Sequence, residues 1–374
     1  MALSGPPPGS TTGPPERLVA GVAQLGRRIG TAARSLGTPL ELDWLGMLGE
    51  RAAIDGLTAR GRTSCGGATR LLRCADGWFA LGLGRPEDVE LVPAWLAVSG
   101  AAASTDSSWS GIERAARDRP GAALAEAATV LGLAVGVLDE RPVEPTGGVT
   151  ITRLGAADRR TPPRVVDLSA LWAGPLCGSL LAAAGADVVK VESSARPDAA
   201  RLGSRYFYDL LNGRKQQIVL DLATSTGREA LGELVATADL VVESSRPRAL
   251  EQLGIVADRE LARPAGPAVW VSITGHGRLS PRVAFGDDAA VAGGLVVRTD
   301  DGPWFCADAA ADPLSGLAAA AAALELLACG TRAMVDVSMA GVAAAHAGPT
   351  LPGDAILPDG SAPVAEQPHA RDAG

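Results

Sequence analysis

From residue 164 onward the chain alternates short apolar runs with longer helical stretches, and no other feature of the sequence constrains the fold as tightly. Arg164–Leu168 (RVVDL), Ala186–Val191 (ADVVKV), Ile218–Leu222 (IVLDL), Leu240–Glu243 (LVVE) and Ala268–Ile273 (AVWVSI) read as strands. Between them, one helix opens at Ala173-Gly174-Pro175 and runs to about Ala184, and another runs from about Ser225 to Ala238. Proline is favourable near a helix start because its missing N–H has no intrahelical partner there, and Gly185 closes the first of these helices. Strands separated by helices of this length pair in parallel. The predicted fold class is therefore α/β, with a doubly wound, Rossmann-like parallel sheet as a large domain over residues 164–347.

The N-terminal half follows a different pattern. A helical stretch from about Leu40 to Ala59 precedes Gly66-Gly67. Two apolar runs, Thr69–Arg73 and Trp78–Leu83, flank Ala75-Asp76-Gly77, and Asp-Gly between such runs signals a hairpin. Helical segments follow near Val92–Leu96 and Ala122–Leu133. These features predict a smaller α+β domain over residues 17–140, N-terminal to the large one. Residues 141–163 mix Pro, Gly and charge and read as a linker. Residues 1–16 and 348–374 read as a disordered lead-in and tail.

Several functions are disfavoured by composition. The net charge is −8 and the basic residues form no long run, which argues against a nucleic-acid partner. The one long apolar stretch, Leu314–Cys329, contains Glu325 and is short for a membrane span. No membrane partner is expected. The five cysteines are scattered without a CxxC pair and the three histidines lie far apart. Neither a disulfide framework nor a metal site is predicted, and the expected compartment is the cytoplasm.

Three places could carry chemistry. The turn Ser169–Pro175 (SALWAGP) leads into a helix whose first N–H groups and dipole suit a phosphate, although it lacks GxGxxG and reads equally well as an ordinary strand-to-helix connection. A scatter of cations, Lys190, Arg196, Arg201, Arg205, Arg214, Lys215, Arg246 and Arg248, follows strand ends, where open α/β sheets bind ligands. Taken singly, each is a solvated surface charge. Asp312 stands just before an Ala-rich helix, with Asp308 four residues upstream. It can cap that helix or, buried beside an activated carbonyl, act as a nucleophile. Gly286-Asp287-Asp288 reads as a cap before Ala289–Leu295, and no Ser/His/Asp arrangement is legible.

Taken in order, Val165–Ser193, Leu211–Leu222, Ala238–Ile255, Trp270–Pro281, Phe285–Leu295, Ala311–Leu317 and Met334–Met339 resemble the family III CoA-transferases, a group that includes α-methylacyl-CoA racemases. Cys65–Leu83 resembles the family's small domain, which here precedes the large one as though the chain were circularly permuted. The resemblance implies an enzyme that moves CoA between a thioester and a carboxylic acid acceptor, with Asp312, followed by Ser315-Gly316, as nucleophile. It implies CoA lying along Trp172, Ala173 and Gly174, with Lys190, Arg214, Lys215 and Arg246 toward its phosphates, and Gly66-Gly67 as a loop over the active site. The acyl-CoA is a substrate, no cofactor is bound permanently, and a homodimer is expected. Asp287 occupies the place where racemases carry a histidine, which favours transferase over isomerase. Ser244-Ser245 stands where relatives often carry Asn-Phe and Trp172 where some carry Gln, so a non-catalytic CoA-binding subunit is the other alternative.

Overall fold

The computed structural model describes residues 12–352 apart from 102–105, 159, 246 and 349. In chain order, β1 (Thr12–Pro15) leads into α1 (Glu16–Ser35), a 3-10 turn (Gly46–Leu48) and the short α2 (Glu50–Asp55). A hairpin of β2 (Thr69–Cys74) and β3 (Gly77–Gly82) precedes α3 (Pro86–Val98), α4 (Trp109–Ala116), α5 (Gly121–Leu131) and β4 (Ala134–Val137). Next come β5 (Val149–Ala156), β6 (Arg164–Asp167), α6 (Ala173–Ala183), β7 (Asp187–Ser193), α7 (Arg205–Asn212), β8 (Gln216–Leu220) and α8 (Ser225–Ala236). β9 (Leu240–Glu243), α9 (Pro247–Glu251), α10 (Ala257–Ala262), β10 (Val269–Thr274), α11 (Gly286–Ala292), β11 (Val296–Thr299) and β12 (Gly302–Phe305) follow. The described chain ends with α12 (Ala311–Cys329), β13 (Thr331–Ser338), α13 (Met339–His346) and β14 (Thr350–Pro352).

The main sheet has seven strands in the order β5-β13-β10-β9-β6-β7-β8. All neighbours pair in parallel except β5, which runs antiparallel to β13. From the centre, β6, β7 and β8 step one way while β9, β10 and β13 step the other. The strand order thus reverses between β6 and β9, which opens a crevice at their carboxyl ends. Both faces are covered, as near-continuous apolar strands require. Leu240, Val242, Val269 and Val271 pack toward α1, α6 and α12, while Val241 and Trp270 pack toward α8 and α10. This is the doubly wound α/β sheet that the alternation of strands and helices predicts.

Nearly every side chain of α12 is buried, including the run Ala318–Ala323. A helix apolar on all sides needs neighbours on all sides, and small side chains let α1, α6 and α13 approach closely. By length and composition α12 could cross a membrane, but here it is the central helix of the core. A Cβ at Gly316 would lie 2.7 Å from the Ala173 carbonyl oxygen, so glycine lets α12 touch the first turn of α6.

The smaller unit is an antiparallel sheet β2-β3-β4 backed by α3, α4 and α5 around Phe79, Trp95, Leu96 and Leu124. Its extent differs from the sequence expectation. Leu18, Val22, Leu25 and Ile29 of α1 join the core of the large sheet, as do Met47 and Leu48. The helix expected over 40–59 is reduced to the 3-10 turn and α2. Within the stretch that reads as a linker, β5 forms an edge of the main sheet through backbone pairing with β13. At the ends, Thr12–Pro15 pairs antiparallel with Thr350–Pro352, in segments that read as a disordered lead-in and tail. The remainder of those two segments, 1–11 and 353–374, lies outside the described residues.

Candidate active site

The turn after β6 sits at the strand-order reversal and is held from below by buried charge. Asp167, the last residue of β6, accepts from Lys215 Nζ (2.7 Å) and from the Ser169 N–H (3.0 Å). Lys190 Nζ donates to the Ser169 carbonyl (2.8 Å) and pairs with Asp198 at 2.9 Å. Asp198 in turn accepts the Leu171 N–H, and Ser244 Oγ accepts the Ala170 N–H, both at 3.0 Å. Leu171 is held at φ +69°, a conformation that costs a non-glycine residue about 1 kcal/mol or more. Burial would raise the Asp167 carboxyl, yet Lys215 and Lys190 hold it below its usual value.

This geometry corrects part of the sequence reading. The side chains of Lys190 and Lys215 are fully buried in ion pairs, so they brace the turn and do not face a ligand's phosphates. Trp172 is also buried, with its ring edge-on to Phe207 at 4.9 Å. Ala173 is buried and Gly174 packs on Ser169, so neither offers a side-chain surface. What the turn retains for a ligand are the N–H groups of Ala173 and Gly174 at the start of α6; Pro175 has none and that of Leu176 donates to the Trp172 carbonyl. Arg214 is exposed just before β8. Arg246 lies outside the described residues.

Asp312 occupies the first turn of α12, one turn before Gly316, and thus close to the start of α6. Its side chain does not cap α12. Instead its carboxylate receives the N–H of Gly286 at the start of α11, a position where any Cβ would collide with it. Asp312 keeps partial solvent access while Ala311, Pro313 and Leu314 around it are buried. Burial pushes its carboxyl to about 7; Arg51 opposes this and Asp287 and Asp308 reinforce it.

Two more carboxylates converge there. Asp308 is fully buried and receives a bidentate clamp from Arg51, Nε to Oδ2 at 2.8 Å and Nη2 to Oδ1 at 2.5 Å. Ala307 and Ala309 on either side of it have φ of +57° and +46°. Non-glycine residues in this region persist only where surrounding contacts hold them, commonly at functional sites. Asp287 Oδ1 accepts the Ala309 N–H at 3.1 Å, and the Ser64 hydroxyl also bonds to this carboxylate. Burial first, then Asp308, raises the Asp287 carboxyl to about 6. Asp288, its neighbour, behaves as the cap expected from the sequence and accepts the Phe285 N–H at 3.0 Å.

The small-unit side of the site is the stretch from α2 to the glycine pair. The Arg51 guanidinium lies 4.9 Å from the centroid of the Trp172 ring, joining the turn to the acidic cluster. Cys65 Sγ donates to the Ala307 carbonyl at 3.7 Å, and burial beside Asp308 and Asp287 pushes its thiol up to about 12. A thiol so suppressed is a poor nucleophile. Gly66 is exposed and faces Arg51, and Gly67 adopts φ +85°, which suits glycine. The structure therefore brings together Asp312, the turn at 172–174 and Gly66-Gly67. Arg51, Ser64 and Cys65 join them without any local signal in the sequence that marks them. Asp287 reads from the sequence as a cap and, by the family resemblance, as the residue in the place of the racemase histidine.

A profile of CoA-transferase family III matches residues 163–372. Among curated proteins, the chain is 34% identical over 142 residues to succinyl-CoA–D-citramalate CoA-transferase of Chloroflexus aurantiacus, covering 35% of each sequence. It is 35% identical over 144 residues to succinate–glutarate CoA-transferase of Agrobacterium fabrum, covering 34% of this chain and 36% of that protein. Formyl-CoA:oxalate CoA-transferase of Escherichia coli is 31% identical over 153 residues, 37% of this chain and 36% of that protein. The aligned stretch thus spans about a third of the length of these relatives. A solved CAIB/BAIF family protein from Brucella suis superposes with TM-score 0.45 at 27% identity, over 49% of this chain and 53% of that one. With the family profile covering more than half of its residues, the chain belongs to CoA-transferase family III.

Proposed function

We propose that this protein transfers CoA from an acyl-CoA to a carboxylic acid, with Asp312 as the covalent nucleophile. The observation that carries the reading is the placement of the Asp312 carboxylate, held by the Gly286 N–H among Arg51, Asp287 and Asp308 and one helical turn from the contact of Gly316 with the start of α6. The relatives, named for CoA transfer between succinyl, glutaryl, citramalyl, formyl and oxalyl groups, support the same reaction class.

In the proposed sequence, an oxygen of ionised Asp312 attacks the thioester carbon. The C–S bond breaks, CoA leaves as thiolate with the electron pair, and an acyl-aspartyl anhydride remains. The thiolate then attacks the aspartyl carbonyl, releasing the donor acid and forming an aspartyl-CoA thioester. The acceptor carboxylate repeats the two steps in reverse and restores Asp312. No net proton is transferred, so the ionised form is the one that works. Each tetrahedral oxyanion needs N–H donors, and the Gly66-Gly67 backbone, exposed at Gly66, is the candidate source. CoA would follow the 172–174 turn, with its phosphates toward the N–H groups of α6 and exposed Arg214.

Asp287, whose charge acts on Asp312, supports a second reading, an isomerase in which the two carboxyls exchange an α-proton. Uptake of solvent deuterium at the substrate α-carbon would favour that reading. The test of the first is hydroxylamine trapping during turnover with a panel of acyl-CoAs. An aspartyl hydroxamate on the Asp312 peptide, absent in Asp312→Ala, is the expected result; CoA binding with neither outcome would leave a non-catalytic CoA-binding subunit. The proposal extends to a homodimer working in the cytoplasm, in keeping with five cysteines scattered without a CxxC pair.

A further inference from the structure

The matched family region begins at residue 163, yet a cation of the candidate site comes from far upstream of it. Arg51 sits on α2, a helix of six residues with no apolar stripe of its own, and makes three kinds of contact. It clamps Asp308 through two hydrogen bonds, lies over the Trp172 ring, and stands close enough to Asp287 and Asp312 for its charge to act on both. A bidentate guanidinium stacked on an indole has little rotational freedom. Its charge is therefore fixed in position beside the reacting carboxylate.

We infer that Arg51 is a positioning residue for the transfer reaction: clamped by Asp308 and seated on Trp172, it holds a fixed positive charge beside Asp312 that keeps this carboxylate available as a nucleophile. The inference rests on the transferase reading for its consequence, but not for its geometry. Among the described residues, the charged groups that act on Asp312 are Arg51 from α2, Asp287 and Asp288 from α11, and Asp308 from the segment before α12, with Cys65 packed beside Asp308 and Asp287. Arg51 is the cation of this set, and Asp308 is the anion that fixes it. The two act on Asp312 in opposite directions, Arg51 lowering its pKa and Asp308 raising it. Because Asp308 also holds Arg51 in place, the test turns on Arg51 itself, with its charge removed in one variant and kept in another, a contrast that a purely structural role does not predict.

The experiment compares the full-length wild type with Arg51→Gln, Arg51→Lys and Asp308→Asn. The ionisation of Asp312 is read without catalysis, from the pH dependence of carbodiimide labelling of the Asp312 peptide by mass spectrometry. Arg51→Gln should move the Asp312 titration up by about one pH unit or more, the scale on which a neighbouring charge acts. Arg51→Lys should restore most of the wild-type midpoint. In Asp308→Asn the lost like charge and the loosened clamp act in opposite directions, so its midpoint should move less than that of Arg51→Gln. Where Arg51→Gln fails to fold, Arg51→Met takes its place. A midpoint unchanged or lowered in the neutral Arg51 variant, or raised as far by Arg51→Lys as by that variant, overturns the inference. In parallel, the acid limb of kcat for CoA exchange should shift with the labelling midpoint while KM changes less. If labelling shifts as expected and no acyl-CoA supports exchange in the wild type, the transferase reading fails while the electrostatic role of Arg51 stands.

Discussion

Replacing Asp312 by Asn should remove transfer activity and make the protein more stable at alkaline pH. The carboxyl moves from 3.8 to about 7 in the folded protein, chiefly through burial. An acid whose folded pKa is raised binds its proton more tightly in the folded state, so stability falls as pH climbs from the unfolded value through the folded one. At pH 5 the folded protein keeps this proton and most of the penalty is absent. At pH 8 both states are ionised and the penalty is complete. A rise of about three pH units corresponds to a ceiling of roughly 4 kcal/mol, and relaxation of Asp287 once its neighbour is neutral brings the gain to about 1–3 kcal/mol. At about 2 °C per kcal/mol for a chain of this size, the Asn variant should melt several degrees above the wild type at pH 8. At pH 5 the difference should shrink to about a degree. Differential scanning calorimetry at the two pH values checks this. An Asn variant less stable at pH 8, or a gain of equal size at both pH values, would refute the account of Asp312 as an ionised carboxylate held against its desolvation.

Further outcomes follow from the same geometry. Gly316→Val should cost about 1–3 kcal/mol and lower kcat, because a side chain there meets the Ala173 carbonyl and Leu176 and forces α12 from α6; melting curves and turnover should change together. Lys215→Met should destabilise by about 3 kcal/mol because it leaves Asp167 buried without its ion-pair partner, with only Ser169 and the charge of Lys190 to support it, and in chemical denaturation the loss should appear as a lower midpoint. Asp287→Asn, if the chemistry is CoA transfer, should retain hydroxylamine trapping at Asp312 and shift its acid limb downward, since one like charge is removed. Loss of α-deuterium exchange in that variant, with trapping absent throughout, would instead support the isomerase.

The sheet was legible because its strands are short apolar runs cut by helices, a pattern set by burial on both faces. Leu240–Glu243 matches residue for residue, and the others differ by one or two residues at one or both ends. α1 was missed because Pro, Gly and polar residues precede it and nothing local says that its apolar stripe docks on α12. β5 was missed for a related reason. It is a half-exposed edge strand, and only pairing with β13 distinguishes Val149–Ala156 from a polar connection. At the site, Asp312 was legible through its place before an Ala-rich helix and through family resemblance. The lysines misled because sequence cannot separate a cation that faces a ligand from one that neutralises Asp167 or Asp198 in the interior. Arg51 could not be read at all, since its partner Asp308 lies 257 residues away.

That separation bears on how the protein comes into being. Closing a loop of this length has an entropic cost that local contacts alone do not offset. The clamp between α2 and the segment before α12 therefore depends on the packing of Met47 and Leu48, just upstream of α2, into the core of the large sheet. Until that packing is complete, Asp312 lacks its cation. Competence to react with a thioester would then emerge in refolding only after the bulk of the helical signal has returned, as a delayed reporter of assembly.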